Sequence, residues 1–158
     1  MAVKNRVAVF AAGCFWHVED IFSKAKGVIK TRAGYTGGNV KNPSYEDVSS
    51  GKTGHAEAVE ITYNPDVISY DGLLDIFWML HDPASLNKQG LDVGTNYRSA
   101  VFYLDESQRK SALMSRDVRQ RVTKRPIVTE MVELSKFYPA EEYHQKYYLK
   151  TGIKSCPR

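Results

Sequence analysis

The chain has 158 residues, 42% of them hydrophobic and 25% charged, and its 22 basic against 18 acidic residues leave a formal charge of +4. This composition excludes disordered, fibrous and membrane-embedded classes, and a length within the ~100–200 residues of an ordinary domain predicts one soluble globular domain over residues 1–158. The small basic surplus, with ten tyrosines dispersed along the chain, falls short of a nucleic-acid footprint, so no nucleic-acid partner is expected.

Lys4 and Arg6 followed by the apolar run Val7 to Ala12 imitate a short leader. The run is too short for the ~7–15 residues of a signal core, and no stretch approaches the ~18 apolar residues of a membrane span. Cytoplasmic residence with reduced thiols and no membrane partner is the resulting expectation. Val7 to Ala11 reads as a buried strand stopping at Gly13, and Phe15, Val18 and Phe22 then fall at helical spacing before Gly27.

Val28 to Tyr35 and His55 to Tyr63 read as strands, the second by alternation, with a polar loop between Gly37 and Gly54. Ser69 is placed to cap a helix through Leu73, Leu74, Phe77 and Leu80 that ends before Pro83. Residues 83–97 lack periodicity, and ordered loops of that length are usually functional. Ser99 to Leu104 predicts a strand, and Asp105 with Gln108 has capping-box spacing for a helix to about Val122. Val128 to Leu134 alternates as a strand, and a last helix is expected over Ala140 to Leu149. The order predicts an α+β two-layer sandwich of ferredoxin-like kind, a mixed, mostly antiparallel sheet covered by helices. A mobile tail is expected from about residue 150.

The two cysteines, Cys14 and Cys156, lie near opposite ends of the chain. They are either unrelated thiols or partners. Cys14 sits where a strand gives way to a helix, and helix-terminal amides and the positive dipole end lower a thiol's pKa; the alternative is a buried, inert cysteine. His17 adds to the effect when protonated, whereas Glu19 and Asp20 oppose it. Phe15 and Trp16 offer an apolar wall beside a nucleophile. Cys156 lies in a tail poor in apolar residues, where access suits a resolving thiol; an incidental terminal cysteine is the alternative.

Alternation puts Glu57 on one strand face with His55 and Val59, opposite Ala56 and Ala58. Among apolar neighbours such a carboxyl rises in pKa and donates a proton near neutrality; on a solvated face it does nothing. Tyr45 and Tyr97 are candidate hydroxyl donors in the loops, and Asp92 is a weak candidate. Two distant cysteines and four scattered histidines lack the spacing of a zinc site, so no metal is expected. There is also no phosphate loop and no Gly-x-Ser-x-Gly elbow.

The string Gly13-Cys14-Phe15-Trp16 resembles that of the A-type peptide methionine sulfoxide reductases. The likeness extends through Gly34-Tyr35-Thr36-Gly37-Gly38, Asn42-Pro43-Ser44-Tyr45-Glu46-Asp47-Val48, Gly54-His55-Ala56-Glu57 and His81-Asp82-Pro83. It continues through Leu86-Asn87-Lys88-Gln89-Gly90, Asp92-Val93-Gly94-Thr95-Asn96-Tyr97-Arg98-Ser99 and Phe137-Tyr138-Pro139-Ala140-Glu141-Glu142-Tyr143-His144-Gln145. It covers essentially the whole chain.

The resemblance implies reduction of methionine S-sulfoxide, free or in peptides and proteins, with no bound cofactor. Cys14 would attack the sulfoxide sulfur, Glu57 would protonate or hydrogen-bond the oxygen with help from Tyr45 and Tyr97, and Phe15 and Trp16 would hold the S-methyl group. Asp92 would be a supporting polar group near Tyr97. The sulfenic acid left on Cys14 would condense with Cys156 to a disulfide that thioredoxin reopens. A monomer is the expected state. Two departures from relatives are visible: His17 stands where glycine is frequent, and the chain lacks the further cysteine of a longer glycine-rich tail.

Overall fold

The computed structural model describes residues 4–152. Cys156 and most of the expected tail therefore lie outside the described residues. In chain order the elements are β1 (Arg6–Ala12), α1 (Phe15–Ser23), β2 (Val28–Thr36), α2 (Tyr45–Ser49), β3 (Ala56–Tyr63) and α3 (Tyr70–Met79). They continue with β4 (Lys88–Gln89), β5 (Asp92–Val93), β6 (Ser99–Tyr103), α4 (Glu106–Gln120), β7 (Glu130–Glu133), β8 (Phe137–Pro139) and α5 (Tyr147–Thr151). Short 3₁₀ turns cover Thr95–Tyr97 and Glu142–His144.

The main sheet runs β7-β6-β1-β3-β2-β8, antiparallel throughout except for the parallel β6/β7 pair. Its central four strands, taken in order of appearance, lie fourth, first, third, second, with α1 and α3 as the two crossovers. That is the ferredoxin-like double βαβ, so the expected α+β fold is present. Strand alternation sorts the core into two sides. Ala8, Phe10 and Ala12 of β1 share one cluster with Val59, Ile61 and Tyr63 of β3, Phe15, Val18 and Phe22 of α1, and Leu73, Leu74 and Phe77 of α3. Phe10 stacks on Phe22 at 5.5 Å and meets Phe77 at 5.1 Å, so one ring joins both helices to the sheet. Each such fully buried side chain contributes about 1.5–3 kcal/mol. The other sheet face carries the smaller set Val9, Ala11, Ala56, Ala58, Ala100 and Phe102, covered in part by Leu134 and Phe137.

The caps follow the sequence closely in two places. Ser69 Oγ accepts from the Gly72 N–H and starts α3, and Asp105 accepts from the Gln108 N–H and starts α4. Gln108 does not return the favour to Asp105 as a capping box would. Its amide instead bridges the Leu104 N–H and the Val7 carbonyl, tying the start of α4 to β1.

Four regions differ from expectation. The loop between Gly37 and Gly54 contains the short helix α2. The aperiodic stretch 83–97 contains the β4/β5 hairpin and a 3₁₀ turn. The strand expected over Val128 to Leu134 is confined to Glu130–Glu133. The helix expected over Ala140 to Leu149 does not form as one element. Phe137–Pro139 first joins the sheet beside β2, Ala140 N–H then bonds the Ala33 carbonyl, and Lys146 takes φ 52°, a left-handed conformation that breaks the run before α5. Gly34 makes the β8 pairing possible: a Cβ there would lie 2.4 Å from Phe137 Cζ and 2.5 Å from the Tyr138 carbonyl oxygen.

Candidate active site

Gly13, at φ 95°, turns the end of β1 into α1 in a conformation that a side chain would strain. The turn leaves Cys14 as the N-cap residue of α1, its carbonyl accepting from the His17 and Val18 N–H groups while its own side chain makes no capping bond. Cys14 is 9% exposed. The thiol thus belongs to the end of a nine-residue helix where peptide dipoles favour negative charge, the setting that stabilises a thiolate.

Glu57 of β3 is 1% exposed and shares the helix-covered side of the sheet with Val59. Its Oε1 accepts the N–H of Phe15 at 3.2 Å. One of the helix-start amides that would otherwise lack a partner is therefore held by a buried carboxyl, immediately after the cysteine.

Tyr45 is delivered from the opposite side. Ser44 and Asp47 form a reciprocal capping box that starts α2 at Tyr45, and the Tyr45 N–H donates to Glu141 Oε2 at 2.9 Å. The loop preceding β3 is held by the buried His55, whose Nδ1 accepts from Gly38 N–H and whose Nε2 donates to the Val40 carbonyl. Tyr97 ends the 3₁₀ turn after the β4/β5 hairpin. Arg98, its neighbour, donates to the Gly54 carbonyl, the Thr95 carbonyl and Glu130, locking that turn against the start of β3.

The charges and hydrogen bonds of these groups act on one another. Burial first, then the charge of Glu57, pushes the Tyr45 phenol up; hydrogen bonds with Ser49 and Tyr97 pull it back, and Cys14 pushes it up again. Tyr97 is pushed up strongly by burial, then by Glu57, Tyr45, Asp92 and Cys14. Both phenols stay protonated at neutral pH and remain hydrogen-bond donors. The structure thus brings Cys14, Glu57, Tyr45, Tyr97 and Asp92 into one electrostatic neighbourhood, although they come from five separate segments. Phe15 is buried against Tyr35 at 5.7 Å, and Trp16 is partly exposed with Tyr147 stacked on it at 3.8 Å and 8°. His17 is partly buried in the first turn of α1, one turn from Cys14. Among the described residues no cluster of three or more His, Cys, Asp or Glu is arranged to hold a metal, and no helix is long and apolar enough to cross a membrane.

The segment that follows β8 carries no role expected from the sequence, yet two of its residues bond residues of the site and two more pin the segment to β2 and α1. Glu141 accepts from the Tyr35 hydroxyl as well as from Tyr45 N–H. His144 Nδ1 accepts from the Trp16 indole N–H. Gln145 bonds both the N–H and the carbonyl of Ala33 in β2. Lys146 N–H donates to the buried carboxylate of Glu19 in α1, which also accepts from Thr31. The run Glu141-Glu142-Tyr143-His144-Gln145 was visible as part of the family likeness; nothing in its spacing points to these partners.

Residues 6–157 match the family model described as Peptide methionine sulfoxide reductase. The chain is 53% identical over 152 residues to the peptide methionine sulfoxide reductase MsrA of Methanothermobacter thermautotrophicus, covering 94% of this chain and 89% of that one. Among solved structures, reduced Mxr1 from Saccharomyces cerevisiae superposes with a TM-score of 0.93 at 33% identity, over 98% of this chain and 90% of that one. The same yeast protein in complex with Trx2 matches in fold, with a TM-score of 0.66 at 24% identity over 98% and 87%. Sequence likeness over nearly the full length and the shared fold agree, and the chain belongs to the peptide methionine sulfoxide reductase family.

Proposed function

We propose that the protein reduces the S epimer of methionine sulfoxide, free or in peptides and proteins, using Cys14 as nucleophile and Glu57 as proton donor. The observation that carries this reading is the Glu57 carboxyl bonded to the Phe15 N–H beside Cys14, with the phenols of Tyr45 and Tyr97 kept protonated by burial and by the charges of both. Sulfoxide oxygen is a poor leaving group, so a proton or hydrogen bond delivered as charge builds on it lowers the barrier. The Cys14 thiolate attacks the sulfoxide sulfur, and Glu57 protonates the oxygen while the two phenols donate to it. The oxygen then passes to Cys14, leaving a sulfenic acid; the substrate sulfur gains the two electrons that Cys14 loses. Phe15 and Trp16 wall the space for the S-methyl group, and Asp92 supports Tyr97.

Cys156 then condenses with the sulfenic acid, releasing water and forming a disulfide. A thioredoxin dithiol reopens it by exchange, and the solved complex of the yeast relative with Trx2 supports that partner. The chemistry suits the cytoplasm, where thiols are kept reduced. One chain supplies every residue invoked, so a monomer suffices.

Incubation with methionine S-sulfoxide and dithiothreitol, with methionine quantified against Cys14→Ser, tests the reading. Methionine formation by wild type and its loss in the variant are expected; equal yields would sink the proposal.

A further inference from the structure

We propose that Gln89 is a positioning residue: its buried side-chain amide pins the β4/β5 hairpin to the corner after α3 and so holds Asp92 and Tyr97 in the site. The inference rests on the roles given to those two residues above. Glutamine ordinarily sits at the surface, yet Gln89 is 3% exposed. Its Oε1 accepts the Asp82 N–H at 3.0 Å and its Nε2 donates to the Asp82 carbonyl at 2.7 Å. One side-chain amide thus exchanges both hydrogen bonds with the backbone of one residue, as a paired strand residue does.

The hairpin needs such an anchor. Its ladder has two residue pairs, Lys88 with Val93 and Gln89 with Asp92, closed by the Gly94 N–H on the Asn87 carbonyl. A hairpin that short does not hold its shape alone in water. Apolar packing does not supply the hold either, because Leu86, Leu91 and Val93, in and beside the hairpin, are 67%, 75% and 72% exposed. The anchor point itself is firmly tied. Asp82 Oδ1 accepts from the Ala84 N–H, its other oxygen pairs with Arg125, and His81 donates through Nδ1 to the Phe77 carbonyl and bonds Ser99 of β6 through Nε2. Ser99 lies opposite Ala12 of β1, two residues before Cys14. The strand that delivers the nucleophile and the hairpin are therefore tied to the same corner.

Directly opposed residues place their side chains on the same face of a hairpin, so the clamp sits on the face that carries Asp92. The Asp92 charge acts on Tyr97, which ends the 3₁₀ turn leaving the hairpin. Arg98 secures that turn at its far end, by bonds to Gly54, Thr95 and Glu130. Gln89 secures the near end. Cutting the clamp lets the Tyr97 hydroxyl drift from the developing charge and slows the chemical step, while the apolar walls formed by Phe15 and Trp16 stay in place.

Single-turnover formation of methionine, measured across methionine S-sulfoxide concentrations, separates these effects. Gln89→Met keeps the volume and loses both bonds. Its maximal rate is expected to fall about tenfold, with the half-saturating concentration within about threefold of wild type. On a Tyr97→Phe background, which has no hydroxyl to place, Gln89→Met is expected to slow the step less than about twofold further. A wild-type maximal rate in Gln89→Met, a loss expressed in half-saturation alone, or effects that multiply with Tyr97→Phe would each overturn the role. If Gln89→Met does not fold, Gln89→Asn takes its place, since it keeps an amide but is one methylene too short to reach Asp82. A wild-type rate in that variant overturns the role, and a fall that vanishes on the Tyr97→Phe background upholds it. A wild-type protein that forms no methionine would instead sink the reductase reading, and a Tyr97→Phe variant at wild-type rate would remove Tyr97 from it.

Discussion

The carboxyl of Glu57 and the backbone N–H of Phe15 are joined by a 3.2 Å hydrogen bond, although 42 residues separate them in the chain. The bond ties the middle strand of the sheet to the first turn of α1, so the residue proposed to donate a proton is registered against the residue after the nucleophile. Two roles, structural and chemical, fall on one side chain, and substitutions can separate them.

Glu57→Gln keeps an oxygen for the Phe15 N–H but has no proton to give. Its thermal stability should stay near wild type while the single-turnover rate of methionine formation falls about 10²-fold or more. Glu57→Ala should lose both, with about 1–3 kcal/mol of stability gone because a buried N–H is stranded. Stopped-flow kinetics and denaturant melts on the two variants check this; a glutamine variant at wild-type rate would remove proton donation from Glu57.

Tyr45→Phe and Tyr97→Phe should each slow the same step about tenfold, and the double variant more, because each phenol is held protonated and lies within the field of Glu57. A single-turnover series at constant pH reads this directly. Wild-type rates in the double variant would show that neither hydroxyl reaches the developing charge.

Cys156→Ser should still yield about one methionine per enzyme without reductant and should lose thioredoxin-driven turnover. Counting methionine and free thiols after a single addition of substrate checks both halves. Undiminished turnover with thioredoxin would assign recycling to direct attack on the Cys14 sulfenic acid.

Acid should loosen the site from the Glu141 side. Burial pushes that carboxyl up, but hydrogen bonds from the Tyr45 N–H, its own N–H and the Tyr35 hydroxyl together outweigh it and leave it below its ordinary value. A carboxyl depressed in the folded state contributes stability that is complete above its unfolded value, ~4.3, and lost as pH falls through the folded one. Glu141→Gln should therefore be less stable than wild type at pH 7, by about 1–2 kcal/mol, with the gap closing toward pH 3. Melting temperatures across that range test it, and a gap independent of pH would count against the ionised carboxylate.

Gly34→Ala should cost about 1–3 kcal/mol through overpacking, because the added carbon meets the Phe137 ring and the Tyr138 carbonyl. At ~2–4 °C per kcal/mol for a domain of this size, the melting temperature should drop measurably. An unchanged melt would mean that β8 can move away from β2 at no cost.

The legible part of the fold is the part governed by local pattern. β1 and α1 follow from an apolar run, a glycine and three helically spaced apolar residues, and Ser69 announces α3 with its own side chain. The face of Glu57 was readable, whereas its burial was not, since alternation does not say which side of a sheet the helices will cover. The segment after β8 misleads for a related reason. Ala140, Tyr143 and Tyr147 keep helical spacing, but Glu141, His144 and Gln145 bond to Tyr35, Trp16 and Ala33 across 106, 128 and 112 positions. Those long-range partners override the local preference, and Lys146 breaks the helix where its N–H turns to Glu19. The likeness to a family brought the site residues together as a list; which of their neighbours hold them in place became visible only in three dimensions.

The two borders of the main sheet have a bearing on what the protein can safely meet. At one border β8 is three residues long and ends in Pro139; at the other β7 is four residues long and exposes Glu130 and Glu133. Short strands, proline and charge are the devices that stop a foreign strand from zipping onto a sheet. Oxidised, partly unfolded polypeptides are rich in unpaired backbone, and a reductase acting on methionine sulfoxide in proteins, as proposed above, would risk being recruited into their aggregates. With both borders blunted, contact with such chains would be steered away from backbone pairing and toward a single side chain at a time.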